Sequence, residues 1–576
     1  MSAYVENVTD SSLLRVTSVF FYLLIPAAVL WITYFRMSRK RLYDLAEKLP
    51  GPNGFPLIGS AHEFIGLNAN EMFDKILKRS QEYMPTSAGK MWIGPRLIVF
   101  LVDPRDIEII LNSHVHIDKA PEYRFFEPWL GEGLLISSGE RWRAHRKLIA
   151  PTFHLNVLKS FIDLFNENSK MAIQKMRKEG NKEFDVHHYM SECTVEILLE
   201  TAMGVDKKTQ RASAFEYANS VMKMCNILQL RQTKIWLRPD IIFNFTKYGK
   251  EQTKLLDFIH GLTSSVLRRK KEAYLAKKQT GAATNSGVYN NFIEEDKKGA
   301  KKENGFGPNV KEVTGKVEGS SFGQSAGLKD DLDVDYDDVG EKKRQAFLDL
   351  LIESSENGVI LSDDEVRQQV DTIMFEGHDT TASGASFFLC VMGARHDIQE
   401  KVVEELQGIL GDSDRPITFQ DTVEMKYLER CIMETLRMYP PVPIIARELN
   451  EEVKLKSSNL SVPAGCTVVI GTYTLHRNPT IYPNPDEFNP DNFLFENAAS
   501  RHYYAYVPFS AGPRSCVGRK YAMLKLKILL AKILRNFTVY SDTKQKDWKL
   551  QGDIILKRAD GFNIRLEPRK ITPKSV

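Results

Sequence analysis

The chain has 576 residues, 43% hydrophobic and 26% charged, with 78 basic against 74 acidic side chains for a net charge of +4. That balance excludes a chain-wide basic field for gripping nucleic acid, and the apolar content excludes a wholly disordered chain. Six cysteines scattered from Cys193 to Cys516 exclude a disulfide framework or a zinc ribbon and point to a reducing compartment.

After a short segment, 1–15, residues 16–35 carry no charge and as a helix reach ~30 Å, enough to span a bilayer. The run is too long for a signal peptide, no Ala-x-Ala site closes it, and Arg36, Arg39, Lys40 and Arg41 follow it. It reads as a retained anchor, with the N-terminus luminal and everything downstream cytosolic. Asn7-Val8-Thr9 fits a glycosylation sequon, but so near the membrane that it reads as a chance match. Residues 36–56 form a basic, proline-rich collar whose Pro50, Gly51, Pro52 and Pro56 stop a helix and stiffen the chain. Lys90 to Val102 holds two β-rich runs around Gly94-Pro95-Arg96, a hairpin signal, and Gly465 to Thr474 supplies a later strand. Most other periodic segments are helical, so the fold class is mainly α with small antiparallel β-sheets.

Trp142 and Arg146 stand four apart on one helical face. Residues 278–340 read as a disordered insertion: nine of the chain's 35 glycines fall in 281–329, and six aspartates occupy the nine positions from Asp330 to Asp338. A calcium loop starting at Asp331 would need glycine where Tyr336 stands and glutamate where Lys342 stands, so the acidic run reads as a solvated segment. Ser362 to about Ala394 reads as one helix of ~50 Å. Ser362 and Glu365 form its capping box, and Asp363 and Asp364 add negative charge to its first turn. Phe375-Glu376-Gly377-His378-Asp379-Thr380-Thr381 inside it weakens the helix and favours a bulge. Glu434 and Arg437 lie three apart before the helix-ending Pro440-Pro441, a spacing that by itself is a common solvated pair.

The most informative stretch is Pro508 to Ala522, where a loop presents one cysteine just before an apolar helical run. The helix dipole and unpaired backbone N–H groups favour a thiolate there, which suits Cys516 to bind iron. Gly512 would let the backbone pass a flat ligand, Gly518 would leave room beside the sulfur, and Arg514 would meet a carboxylate at the ligand's rim.

Phe509-x-x-Gly512-x-Arg514-x-Cys516-x-Gly518 resembles the loop of the haem-thiolate monooxygenases, the cytochrome P-450 superfamily. The resemblance covers about residues 50–565 apart from the insertion. It implies the cytochrome P-450 fold and one catalytic domain, 57–565, with a tail at 566–576, where length alone allows about four domains. It further implies haem b (iron protoporphyrin IX) with Cys516 as axial ligand, Phe509, Gly512 and Arg514 in its cradle, and Trp142, Arg146 and Arg447 on its propionates. Glu434 and Arg437 would brace the core behind the haem, with Asn492 standing where many members carry an arginine. The helix distortion would make room for dioxygen, with Thr380 and Asp379 supporting proton delivery.

Glu376 stands where most of the superfamily has a small residue, and its heptapeptide resembles family four, the fatty-acyl oxidising branch, in which this carboxylate becomes esterified to a haem methyl. The insertion and Val339 to Asp349 resemble the insect G-type subfamily, associated with oxidative decarbonylation of long-chain aldehydes to cuticular hydrocarbons. The competing activities are ω-hydroxylation of fatty acids or oxidation of another lipid or xenobiotic. A membrane-anchored haem-binding protein without turnover is more distant, because Cys516 together with Asp379 and Thr380 exceeds what binding requires. No nucleotide-binding glycine loop is present, so NADPH electrons would arrive through a flavoprotein reductase, with cytochrome b5 as a second donor. Arg143, Lys147, Arg519, Lys520, Lys525 and Lys527 form either a basic docking face for it or ordinary solubilising charge. The expected location is the endoplasmic reticulum membrane, single-pass, with the catalytic domain cytosolic.

Overall fold

The computed structural model describes residues 22–55, 58–205, 211–280, 346–356, 361–541 and 543–569. The predicted segment 1–15, the first six positions of the predicted anchor and nearly all of the 278–340 insertion lie outside the described residues, as do 570–576. Residues 22–38 are helical, with Tyr22, Leu23, Ile25, Leu30 and Trp31 exposed. Among the described residues no helix is long and apolar enough to cross a membrane. The insertion starts later than predicted, because the helix Lys247–Gln279 runs through positions 278 and 279.

The predicted hairpin forms: β1 (Ala88–Ile93) pairs antiparallel with β2 (Arg96–Leu101), and Gly94 takes the positive φ of 57° that the tight turn demands. The sheet is mixed, not purely antiparallel. With β3 (Ile444–Glu448) and β4 (Thr467–Gly471) the strand order is β1-β2-β4-β3. β2 and β4 run parallel with Ile98 opposite Thr467, whereas β3 runs antiparallel to β4. The late strand stops at Gly471, and Thr472–Leu475 turns into a helix. Near the C-terminus, β5 (Leu550–Gly552) and β6 (Leu556–Arg558) make a small hairpin.

A three-stranded sheet of Phe184–Asp185, Asn563–Pro568 and Phe537–Tyr540 and a short pair, Val453–Lys454 with Ser461–Val462, complete the strands, and most of the remaining regular structure is helical. Five helices position the site: α1 (Gly139–Ile149), α2 (His187–Thr201), α3 (Asp363–Ala394), α4 (Lys426–Met438) and α5 (Arg519–Asn536). The start of α3 follows from its sequence. The Ser362 side chain accepts from the Glu365 amide at 3.3 Å, and Glu365 accepts from the Ser362 amide at 2.8 Å, satisfying two end donors. Its 32 residues span ~48 Å and bury Phe387, Phe388 and Leu389 completely.

The weakened turn in α3 does not bulge. The helix is continuous from Asp363 to Ala394, and the hydroxyls of Thr380 and Thr381 donate to the carbonyls of Glu376 and Gly377 at 2.6 and 3.1 Å. Those hydroxyls are thus satisfied within the helix and need no break in it. Gly377 serves packing instead: a Cβ there would sit 2.9 Å from Leu198 of α2.

The proposed basic face loses four of its six members. α5 is enclosed by the core, so Arg519, Lys520, Lys525 and Lys527 are all buried. Lys527 pairs with Glu429 at 2.5 Å and donates to the Thr422 carbonyl at 2.7 Å. A buried cation beside a buried carboxylate is internal bracing. Only Arg143 and Lys147, on α1, remain exposed.

Candidate active site

Between α3 and the loop leading into α5 lies a cavity of about 530 Å³. Of the residues singled out from sequence, Cys516, Glu376, Thr380, Trp142, Arg146, Phe509 and Arg514 line it. They come from three distant parts of the chain, which the packing of α1, α3 and α5 brings together. Asp379, Arg447 and Gly512 stand outside the lining.

The sulfur of Cys516 opens into the cavity, while the other five cysteines are buried, and all six are free. The loop is pinned by the Cys516 amide, which donates to the Phe509 carbonyl at 2.8 Å. The helix terminus does not by itself secure a thiolate. Desolvation, and then the Glu376 carboxylate, push the thiol up to about 11, outweighing the Gly518 amide. The anion therefore needs a cation at the sulfur, and a coordinated metal deprotonates a thiol outright.

Gly512 is required for a different contact from the one expected. It has φ 68°, and a Cβ would lie 2.0 Å from the Leu111 carbonyl, so its close approach is to the chain itself. Arg514, which lines the cavity, also braces the protein itself. It donates to the carbonyls of Ile117 at 3.0 Å and Leu134 at 3.1 Å and to that of Ser137, and its guanidinium lies 4.5 Å from the Trp142 ring centroid. Burial, reinforced by Arg447, pulls it down to about 9. Arg146 donates to the Ser515 carbonyl at 2.7 Å, tying α1 to the cysteine loop.

Arg447, on β3, is buried, and its Nη1 has no partner. Lys119 forms an isolated bridge with Arg447 and lines the cavity, where burial and the neighbouring arginines push its ammonium well down. Cations thus converge on one side of the cavity with an orphaned donor among them, which would cost free energy unless anions complete the site. The two carboxylates of a haem fit this surplus, and the open sulfur fits its iron. Arg146, Arg447, Arg514 and Lys119 would hold the carboxylates and Cys516 the metal. Nothing in the sequence marked Lys119, which sits in a loop without a motif.

Glu376 faces the cavity from α3. Burial pushes its carboxyl up to about 7 against the opposing pull of Lys119, Arg146 and Arg514, so near neutral pH much of it is the uncharged acid. Asp379 points elsewhere, being about 100° round the helix from Thr380. Its Oδ1 lies 3.4 Å from Lys557 of β6 and 3.9 Å from His187 of α2. Burial alone would raise it, but Lys557, His378 and His187 hold it below the usual carboxylate range. Thr380 thus lines the cavity, while Asp379 stands on another face of α3. Sequence reasoning also passed over Lys557.

Behind the cavity, Arg437 donates to Glu434 through Nε and Nη2, both at 2.8 Å, with both side chains fully buried. Asn492 donates to Glu434 at 3.1 Å and the Asn489 amide at 2.8 Å, so Glu434, Arg437 and Asn492 form one network.

The chain matches the model of the Cytochrome P450 family over residues 49–314 and 326–565. It is 58% identical to Cytochrome P450 4g15 of Drosophila melanogaster, over 97% of this chain and 99% of that one. Identity is 48% to Cytochrome P450 4g1 of the same organism, over 93% of this chain and 92% of that one. It is 36% to Cytochrome P450 4V2 of Homo sapiens, over 92% and 93% respectively. A cysteine open to a cation-lined cavity and these full-length likenesses lead to one identity: the chain belongs to the cytochrome P450 family and is a haem-dependent monooxygenase of family four.

Proposed function

We propose that this enzyme oxidises long-chain aliphatic substrates and carries out oxidative decarbonylation of long-chain aldehydes to hydrocarbons, using O2 and electrons delivered from NADPH by a flavoprotein reductase. The cavity wall carries this reading: Phe64, Met72, Ile76, Met91, Phe100 and Phe126 offer an apolar surface to an alkyl chain within reach of the cysteine. The likeness to the two insect 4g relatives supports it. When bound, the haem supplies oxygen activation, and the electron donation of a thiolate favours O–O cleavage. The protein holds the alkyl chain, excludes water with the apolar wall and keeps the Thr380 hydroxyl at the cavity. Asp379, held by Lys557, acts in proton supply from behind α3.

Reconstitution with reductase and NADPH, followed by mass analysis of products from a long-chain aldehyde and the matching acid, tests the substrate. The expected product is a hydrocarbon one carbon shorter than the aldehyde. An ω-alcohol of unchanged length would instead establish the fatty-acid hydroxylase reading.

Glu376 is further proposed to form an ester with a haem methyl. Its place in the cavity wall supports this. Acid extraction of active enzyme is expected to leave a covalent haem fraction that disappears in Glu376→Gln, and full release from the unaltered enzyme would refute the ester.

The location proposed is the endoplasmic reticulum membrane, with the catalytic domain cytosolic. In support, Ile235, Trp236, Ile241, Ile242 and Phe245 are exposed together with the apolar residues of helix 22–38, surface that water disfavours and a lipid interface accepts.

A further inference from the structure

Lys525 is an anomaly of α5. It lies between Leu524 and Leu526, is fully buried, and donates to the carbonyl of Gly377 in α3 at 2.8 Å. No carboxylate acts on it. Burial pushes its ammonium down to about 7, with only the Cys193 thiol opposing. Its Nζ also lies over the Tyr521 ring, 4.9 Å from the centroid. Tyr521 is itself fixed by a 2.7 Å hydrogen bond to Thr201 of α2. Burying a cation without a counter-charge is costly, so one that persists in a core is there for the group it holds.

That group is the turn of α3 facing the cavity. The Gly377 carbonyl follows Glu376 directly and accepts from both the Lys525 ammonium and the Thr381 hydroxyl. Lys525 in turn sits on the helix that begins immediately after the Cys516 loop. One buried hydrogen bond therefore joins the helix that follows the sulfur's loop to the element carrying Glu376 and Thr380, at the edge of the cavity. We propose that Lys525 is a positioning residue, which sets the height of the Glu376–Thr380 wall above Cys516 by holding the Gly377 carbonyl. The proposal rests on the reading of that wall as the oxygen-facing side of the haem site.

The test uses the full-length holoenzyme with Lys525→Met, which keeps side-chain length and removes the charge and donor. The infrared C–O stretch of the ferrous carbonyl reads the wall's position independently of turnover. The variant is expected to keep the thiolate-shifted carbonyl absorption of the unaltered enzyme. Its C–O band should shift or split, and product formed per NADPH should fall roughly tenfold or more, the scale of loss from a small misplacement. Lys525→Gln, which retains a neutral donor, should lie between the two and carries the same readouts if the methionine variant takes up no haem. An unchanged C–O band and unchanged coupling in the folded variant would overturn the positioning role. Absence of the thiolate-shifted absorption in the unaltered enzyme would instead overturn the site reading beneath it.

Discussion

Cys516→Ser is expected to abolish turnover, by on the order of 10³-fold or more, equivalent to about 4 kcal/mol of barrier. The thiolate-shifted absorption of the ferrous carbonyl should vanish at the same time. The physical reason is that a serine hydroxyl at this position remains neutral and donates far less electron density than a thiolate. No substitute stands nearby. The other five cysteines are buried, and the described residues hold no group of three or more His, Cys, Asp or Glu able to take a metal. The spectrum and the turnover must fall together; a serine variant that keeps the thiolate band would remove Cys516 from the iron.

The second large effect is on stability and lies behind the cavity. Arg437 makes its paired contact with Glu434 and also donates to the carbonyls of His476 at 2.9 Å, Pro485 at 2.8 Å and Glu487 at 3.2 Å. Lysine cannot replace this fork, because it offers a point charge with three donors, and Arg437→Lys is expected to cost about 3–5 kcal/mol. Glu434→Gln keeps an acceptor for the guanidinium and for the Asn489 amide, so its cost should be smaller, about 1–3 kcal/mol. Denaturant unfolding of both variants checks the order. A Glu434→Gln variant less stable than Arg437→Lys would show that the carboxylate, not the carbonyls, is what the arginine chiefly serves.

What the sequence disclosed was whatever local chemistry dictates. The capping box at Ser362 specified where α3 begins, because two end donors have only those partners. The Gly94 turn specified the first hairpin. The cysteine loop marked Cys516 as the candidate metal ligand, since so restrictive a pattern has few other uses, and the structure opens its sulfur to the cavity. Side-chain direction was harder to read. Glu376 and Thr380, four apart, share a face, whereas Asp379 is rotated onto the face that meets Lys557, a partner 178 residues away in the chain. Lys525 and Lys527 look like solvated charge in a one-dimensional reading, yet Met523, Leu524, Leu526 and Ile528 beside them are buried too, so the core encloses α5 on every side. Arg447 and Lys119 meet only because the chain bridges there, and no spacing in the sequence encodes that contact.

The parallel pairing of β2 with β4 has a consequence in time. Ile98 waits for Thr467, 369 positions later (467 − 98). At a synthesis rate of 5–20 residues per second that is a delay of roughly 20–70 s. During that interval the Arg96–Leu101 edge has its β1 partner but not its other neighbour, and an unpaired apolar edge is a template for wrong association. The cavity wall that includes Ile98, Phe100 and Val469 cannot close until β4 emerges, and Cys516 is made later still. The cofactor site therefore cannot close before Cys516 has been made, and until β4 emerges that edge stays open to wrong pairing.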